Sequence, residues 1–228
     1  MKRFSNYAKL LPALAALVST LLSGCATVHR ANSEYDTTFG KKRETSNVYR
    51  TGDMPSKLTR VAILPLFKGD YDHMDLSLIE ENFRLELTKL NLFEVVAIEP
   101  DTMRELFAQE RFSSIEVLPT QLIDKLYARY AIDGLLLMDL SYFKAYQPVG
   151  IGMRAKLVNC ETGNLMWAVD EVFDSSNPAV SNAARKYYKT ESILSYPLQN
   201  TQSTLHSPGR FSKYVAHSLF GAMNLQKS

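Results

Sequence analysis

The chain has 228 residues, 46% of them hydrophobic and 22% charged, which excludes a disordered protein and leaves room for one generous domain or two small ones. Its 26 Lys and Arg against 24 Asp and Glu leave a formal charge of +2, too small for a nucleic-acid binder. Two cysteines supply neither a disulfide scaffold nor a thiolate zinc cluster.

The first nine residues carry Lys2, Arg3 and Lys9 with no acid, and the apolar run Leu10–Leu22 leads to the small pair Ser23-Gly24. This is the layout of an export signal, and the run is too short for a confident bilayer span, which takes about 18 apolar residues. Leu22-Ser23-Gly24-Cys25 resembles the lipobox of bacterial lipoproteins, so Cys25 is expected to become the acylated first residue of the mature chain. The resemblance implies several fatty acyl chains of the palmitate type, and one chain alone anchors only reversibly. In that family Asp after the cysteine retains the protein at the inner membrane. Ala26 stands there instead, which favours the outer membrane with the body of the protein in the periplasm. The division expected is therefore a signal over 1–24, a lipidated cysteine and flexible tether over 25–57, and one domain over 58–228.

The tether stretch is polar and aperiodic, with Lys41-Lys42-Arg43 clustered in it. After it, Arg60–Phe67 is almost continuously apolar, as a strand covered on both faces would be. Ser77 and Glu80 have the spacing of a capping box, and Ile79, Phe83, Leu87 and Leu90 recur on one helical face, so a helix is expected over 77–90. Phe93–Ile98 reads as a second strand, Pro100 opens a helix through Phe107, and another helix follows Pro119-Thr120 with Leu122, Ile123, Leu126, Tyr127 and Tyr130 as its stripe. Asp133-Gly134 launches a third strand through Phe143. Two alternating segments follow, Val149–Val158 and Leu165–Phe173, separated by the turn Cys160–Asn164, and the three strands read as an antiparallel meander.

Beyond Phe173 the pattern loosens: a short helix over Asn177–Tyr188, a long polar loop over Lys189–His206, and a closing helix after Ser207-Pro208 with Phe211, Tyr214, Val215, Leu219 and Ala222 on one face. The fold class expected is α/β of the α+β kind, a mixed sheet in the order β-α-β-α-α-β-β-β with a closing carboxy-terminal helix.

Val61-Ala-Ile-Leu-Pro-Leu66, Asp133-Gly134 before a strand, and Cys160-Glu161-Thr162-Gly163 before Leu165-Met-Trp167 together resemble the periplasmic domain of the CsgG curli-secretion family. Similar domains occur in the TolB amino-terminal region, the LpoB activator of peptidoglycan synthases and the PelC lipoprotein of polysaccharide export. The likeness covers roughly Leu58 to Ser175 and the last helix. It implies binding and assembly at the outer membrane, not catalysis, and it raises a homo-oligomer. Pore-forming members insert hairpins of alternating apolarity, whereas Ser175–His206 is polar and aperiodic, so no membrane barrel is expected.

Little in the chain suggests chemistry. His29, His73, His206 and His217 are scattered without metal-ligand spacing. Asp70, Asp72, His73 and Asp75 share a loop but lack the calcium-loop pattern. No nucleophile elbow or phosphate loop is present, and Ser207 beside His206 is better placed as a helix cap than as a nucleophile. Catalytic residues, metal sites and cofactors are therefore all expected to be absent. Cys160, left without a partner once Cys25 is acylated, reads as a packed thiol.

Tyr142, Phe143 and Tyr146 surround a hairpin, and Tyr187, Tyr188 and Tyr196 fall in the loose segment, where they are candidates for partner contact. The leading reading is a non-enzymatic outer-membrane lipoprotein that binds or scaffolds another envelope protein or polymer, bound to the membrane through its lipid. The alternative, an enzyme acting on cell wall or polysaccharide, would need a pair of carboxylates in a cleft. Removing the signal takes away three positive charges and no negative ones. The mature chain then has 23 basic against 24 acidic residues, and residues 58–228 have 17 against 20.

Overall fold

A computed structural model describes residues 35–36, 40–41, 43–51, 58–195 and 205–223. The chain divides into two units, Met1–Lys42 and Arg43–Ser228. In the first, β1 (Tyr35–Asp36) pairs antiparallel with β2 (Gly40–Lys41). The second unit contains β3 (Val48–Arg50), β4 (Arg60–Ile63), α1 (Ser77–Lys89), β5 (Glu94–Ala97), α2 (Pro100–Phe107), α3 (Leu122–Tyr130), β6 (Gly134–Lys144), β7 (Gly150–Asn159), β8 (Leu165–Asp174), α4 (Pro178–Ser195) and α5 (Pro208–Gly221). They build one mixed sheet in the order β3-β8-β7-β6-β4-β5. β4 runs parallel to both β5 and β6, while β6, β7 and β8 form the expected antiparallel meander. The α+β mixed sheet read from the sequence is the fold observed.

The two sheet faces are covered unequally. On one, Ile79, Phe83 and Leu87 of α1 and Phe211, Val215 and Leu219 of α5 bury Met138, Ile151, Met153, Leu157, Trp167 and Phe173. On the other, Met103 of α2 and Leu122 and Leu126 of α3 cover only the β4 and β6 end, through Ala62, Leu64, Leu135 and Leu137. β4 stops at Ile63 because Pro65 has no N–H to give the ladder. The chain still follows β6 through Leu64 N–H to Leu136 O and Phe67 N–H to Met138 O.

Asp133-Gly134 couples the starts of β4 and β6. The Asp133 carboxylate accepts from Thr59 N (2.9 Å), Thr59 Oγ1 (2.5 Å) and Arg60 N (3.0 Å), and these bonds, the Thr59 hydroxyl first, hold its pKa below the ordinary value. A Cβ on Gly134 would lie 2.8 Å from Leu58 Cδ1 and 3.2 Å from Val61 Cγ2, so the Leu58 side chain would have to move to admit one.

Four expectations change. Ser77 is not the cap of α1: the helix starts after Leu76, Asp75 Oδ1 accepts from Ser77 N (3.1 Å), and Glu80 Oε1 instead accepts from Leu66 N (2.8 Å). The end of the segment read as tether is built into the domain as β3, paired to β8. It is pinned there by Arg43 Nη2 on Glu171 Oε1 (2.6 Å), with the guanidinium 5.0 Å above the Phe173 ring. The helix expected to end near Tyr188 runs on as α4 to Ser195. Tyr187 and Tyr188 are buried in the main core, because the other side of that helix packs on α5. Ser207 is the α5 cap, accepting from Arg210 N at 3.4 Å.

Candidate interaction surface

Past β6 no helix among the described residues covers the second sheet face, and a polar row crosses those strands. Asp139 of β6 lies opposite Arg154 of β7, which lies opposite Asp170 of β8. Arg154 makes the strong bond of the row, Nη2 to Asp170 Oδ2 at 2.7 Å with Nε also donating at 2.8 Å, and stands 3.9 Å from Asp139 Oδ2. Val172 and Tyr49, both about half exposed, continue the face toward the β3 edge.

Asp139 is almost wholly buried and is engaged by the loop between α2 and α3. Ser113 Oγ donates to it at 2.9 Å, Ser114 Oγ at 2.8 Å and the Ser114 amide at 2.8 Å, while Lys156 Nζ donates to Ser114 O at 2.7 Å. Phe112, buried against Phe107 with ring centroids 5.9 Å apart, secures one side of the loop, and Leu118 packs on the second core on the other. Between these fixed points the tip turns outward. Ile115 is 67% exposed and Val117 98% exposed. A pinned loop that holds aliphatic side chains in water next to a bare strand face with arginine and tyrosine has the composition of a protein contact surface. Among the described residues no three His, Cys, Asp or Glu side chains gather to hold a metal.

The candidates from sequence are distributed otherwise. Tyr187 Oη donates to Glu86 Oε1 (3.1 Å) and Tyr188 Oη to Arg210 O (2.7 Å), so both rings serve the helix layer and present no open face. Tyr196, the lipobox residues Leu22, Ser23 and Gly24, Cys25 and Ala26 lie outside the described residues. Cys160 is half-buried against the second core, and burial pushes its thiol up to about 11, so it carries almost no thiolate at neutral pH. The Ile115–Val117 tip was missed because an aliphatic pair in a loop has no periodicity. Its only signal was Val117 two residues before Pro119, outside any helical stripe.

The class defined by this arrangement is an α+β domain with a mixed sheet, covered by helices on one face and, among the described residues, over only part of the other. No family model matches the chain, and no curated protein does. Solved structures similar to it include a substituted PelC dodecamer from Paraburkholderia phytofirmans, 8% identical over 79% of this chain and 100% of that one, with a TM-score of 0.47. The lipoprotein GNA1162 from Neisseria meningitidis is 15% identical over 60% of this chain and 95% of that one (TM-score 0.41). The LpoB carboxy-terminal domain from Salmonella enterica is 12% identical over 54% and 86% (TM-score 0.37). PelC and LpoB are two of the proteins in the group that the sequence resembles. Among the described residues, no helix is long and apolar enough to cross a membrane.

Proposed function

We propose that the chain is a lipoprotein anchored to the outer membrane through Cys25, whose periplasmic domain binds or scaffolds another envelope component and catalyses nothing itself. The observation that carries the binding half is the Ile115–Val117 tip, held out over an uncovered strand face by Asp139. The anchoring half rests on Leu22-Ser23-Gly24-Cys25 and on the short apolar run before it.

Replacing Cys25 by Ser tests the anchor. Multiple acyl chains hold a protein through a wash that strips electrostatic attachment, because each buried methylene contributes about 0.8 kcal/mol that salt does not screen. After a high-salt wash the wild-type protein is expected to remain with the membranes and Cys25→Ser to be released. Equal retention of both would overturn lipid anchoring at this residue.

A further inference from the structure

The β3 edge of the sheet is held differently from the rest of the domain. Residues 43–51 lie as a strap along β8 and the end of α5, and one carboxylate holds the start of it. Glu171 accepts from Arg43 Nη2 (2.6 Å), Ser46 N (3.1 Å), Ser46 Oγ (3.0 Å) and Asn47 N (3.3 Å). Other ties are polar too. Asn47 Nδ2 donates to Asp170 O (2.9 Å), Asp170 N to Asn47 O (3.2 Å), Thr51 N to Met166 O (3.1 Å), Thr45 Oγ1 to Ser218 O (3.0 Å) and Arg50 to Ala222 O. The apolar share is small: Val48 packs half-buried on the main core, and Tyr49 is half exposed.

This balance decides what detaching the strap costs. Water replaces each polar tie that breaks, nine residues regain conformational freedom, and little apolar surface is uncovered by the strap itself. A segment with few buried apolar contacts and many hydrogen bonds near the surface opens at a smaller free energy than the domain that carries it.

The seat is also imperfectly satisfied. Among the described residues, five buried side-chain polar atoms have no hydrogen-bond partner, and three of them gather here. Arg43 Nε is on the strap, Tyr214 Oη lies near Arg43, and Trp167 Nε1 belongs to the residue opposite Arg50 in the ladder. Opening gives Arg43 Nε the water that the closed strap denies it, which offsets part of the cost of parting its guanidinium from Glu171 and the Phe173 ring.

We infer that residues 43–51 form a latch that opens as a unit while the rest of the domain stays folded, with Glu171 as its catch. Closed, the chain is fixed to the sheet from Arg43 onward. Open, it is fixed from Leu58, which is buried in the main core, and the outer edge of β8 is bared at the Asp170 amide and the Met166 carbonyl. Residues 43–57 then join the connection to Cys25 and add about 50 Å to it when extended. The latch thereby sets how far the domain reaches from its lipid. That reach rests on the anchoring proposed for Cys25, whereas the opening does not.

Native-state amide exchange on the full mature chain with Cys25→Ser tests the latch without the lipid. After correction for intrinsic rates, the Thr51 and Asp170 amides should exchange roughly 10-fold or more faster than the Leu64 and Phe67 amides, which bond to β6. Glu171→Gln keeps the shape of the catch and removes its charge. It should speed both strap amides by the same factor, roughly 10- to 100-fold, and leave Leu64 and Phe67 unchanged. Wild-type strap amides no faster than Leu64 and Phe67, an effect of Glu171→Gln on only one strap amide, or an equal effect at all four would overturn the inference. Membrane fractionation of Cys25→Ser decides the anchor separately: equal retention there would remove the reach and leave the latch standing.

Discussion

Asp139→Ala is expected to cost about 3–4 kcal/mol and to release the loop that carries Ile115 and Val117. The carboxylate is 6% exposed and satisfies three donors, the Ser113 hydroxyl, the Ser114 hydroxyl and the Ser114 amide. Removing the acceptor leaves the buried Ser113 hydroxyl without its partner and takes charge-assisted bonds from the two part-buried Ser114 donors, at about 1 kcal/mol or more apiece. Arg154 loses its weaker neighbour but keeps Asp170, so the sheet itself should persist. Chemical denaturation measures the loss, and amide exchange at Ser114 locates it. An unchanged midpoint with Ser114 still protected would show that the loop is held by Phe112 and Leu118 alone.

The second large effect lies in the helix layer. Glu86 of α1 is 2% exposed and is shared by Lys89 Nζ (2.6 Å), Tyr187 Oη (3.1 Å) and His217 Nδ1 (3.4 Å), which ties α1, α4 and α5 together. Burial by itself would raise its pKa. The His217, Lys89 and Tyr187 contacts together outweigh burial and bring the group from its ordinary 4.5 to about 2. A carboxylate whose pKa falls on folding stabilises the native state above its unfolded value, and that contribution fades as pH drops from about 4.5 to about 2. Glu86→Gln should therefore cost about 2–3 kcal/mol at pH 7 and much less near pH 2–3. Unfolding of both proteins at the two pH values checks this. A difference that stays constant with pH would mean that Glu86 acts through packing and not through charge.

The sheet was legible because most of its strands alternate or run apolar over six or more residues, and because glycine and proline mark their ends. Pro100 and Ser207 begin helices where the sequence places them. What escaped reading was tertiary in origin. Glu80 has the right spacing to cap its own helix, yet the Leu66 amide across the fold, left without a ladder partner beside Pro65, takes its carboxylate. Val48–Arg50 is too short and polar to look like a strand, and what orders it is distant in sequence: pairing with β8, Arg43, Ser46 and Asn47 on Glu171, and Thr45 and Arg50 on the Ser218 and Ala222 carbonyls. Tyr187 and Tyr188 looked free because α4 carries Lys, Ser and Thr around them. Their burial depends on α5, twenty residues on in sequence, and the polar tips find Glu86 and the Arg210 carbonyl. The candidate surface is the least legible of all, since Asp139, Arg154 and Asp170 come together only through strand register.

The central claim, that the domain works by contact at the Ile115–Val117 tip, is tested most directly by photo-crosslinking in intact cells. A benzoylphenylalanine placed at 117 should give a discrete adduct with an envelope component. The same group at 127, which is also exposed but lies on the outer side of α3, should not. The adduct at 117 should weaken when Asp139→Ala frees the loop. No adduct at 117, or the same adducts from both positions, would contradict the account.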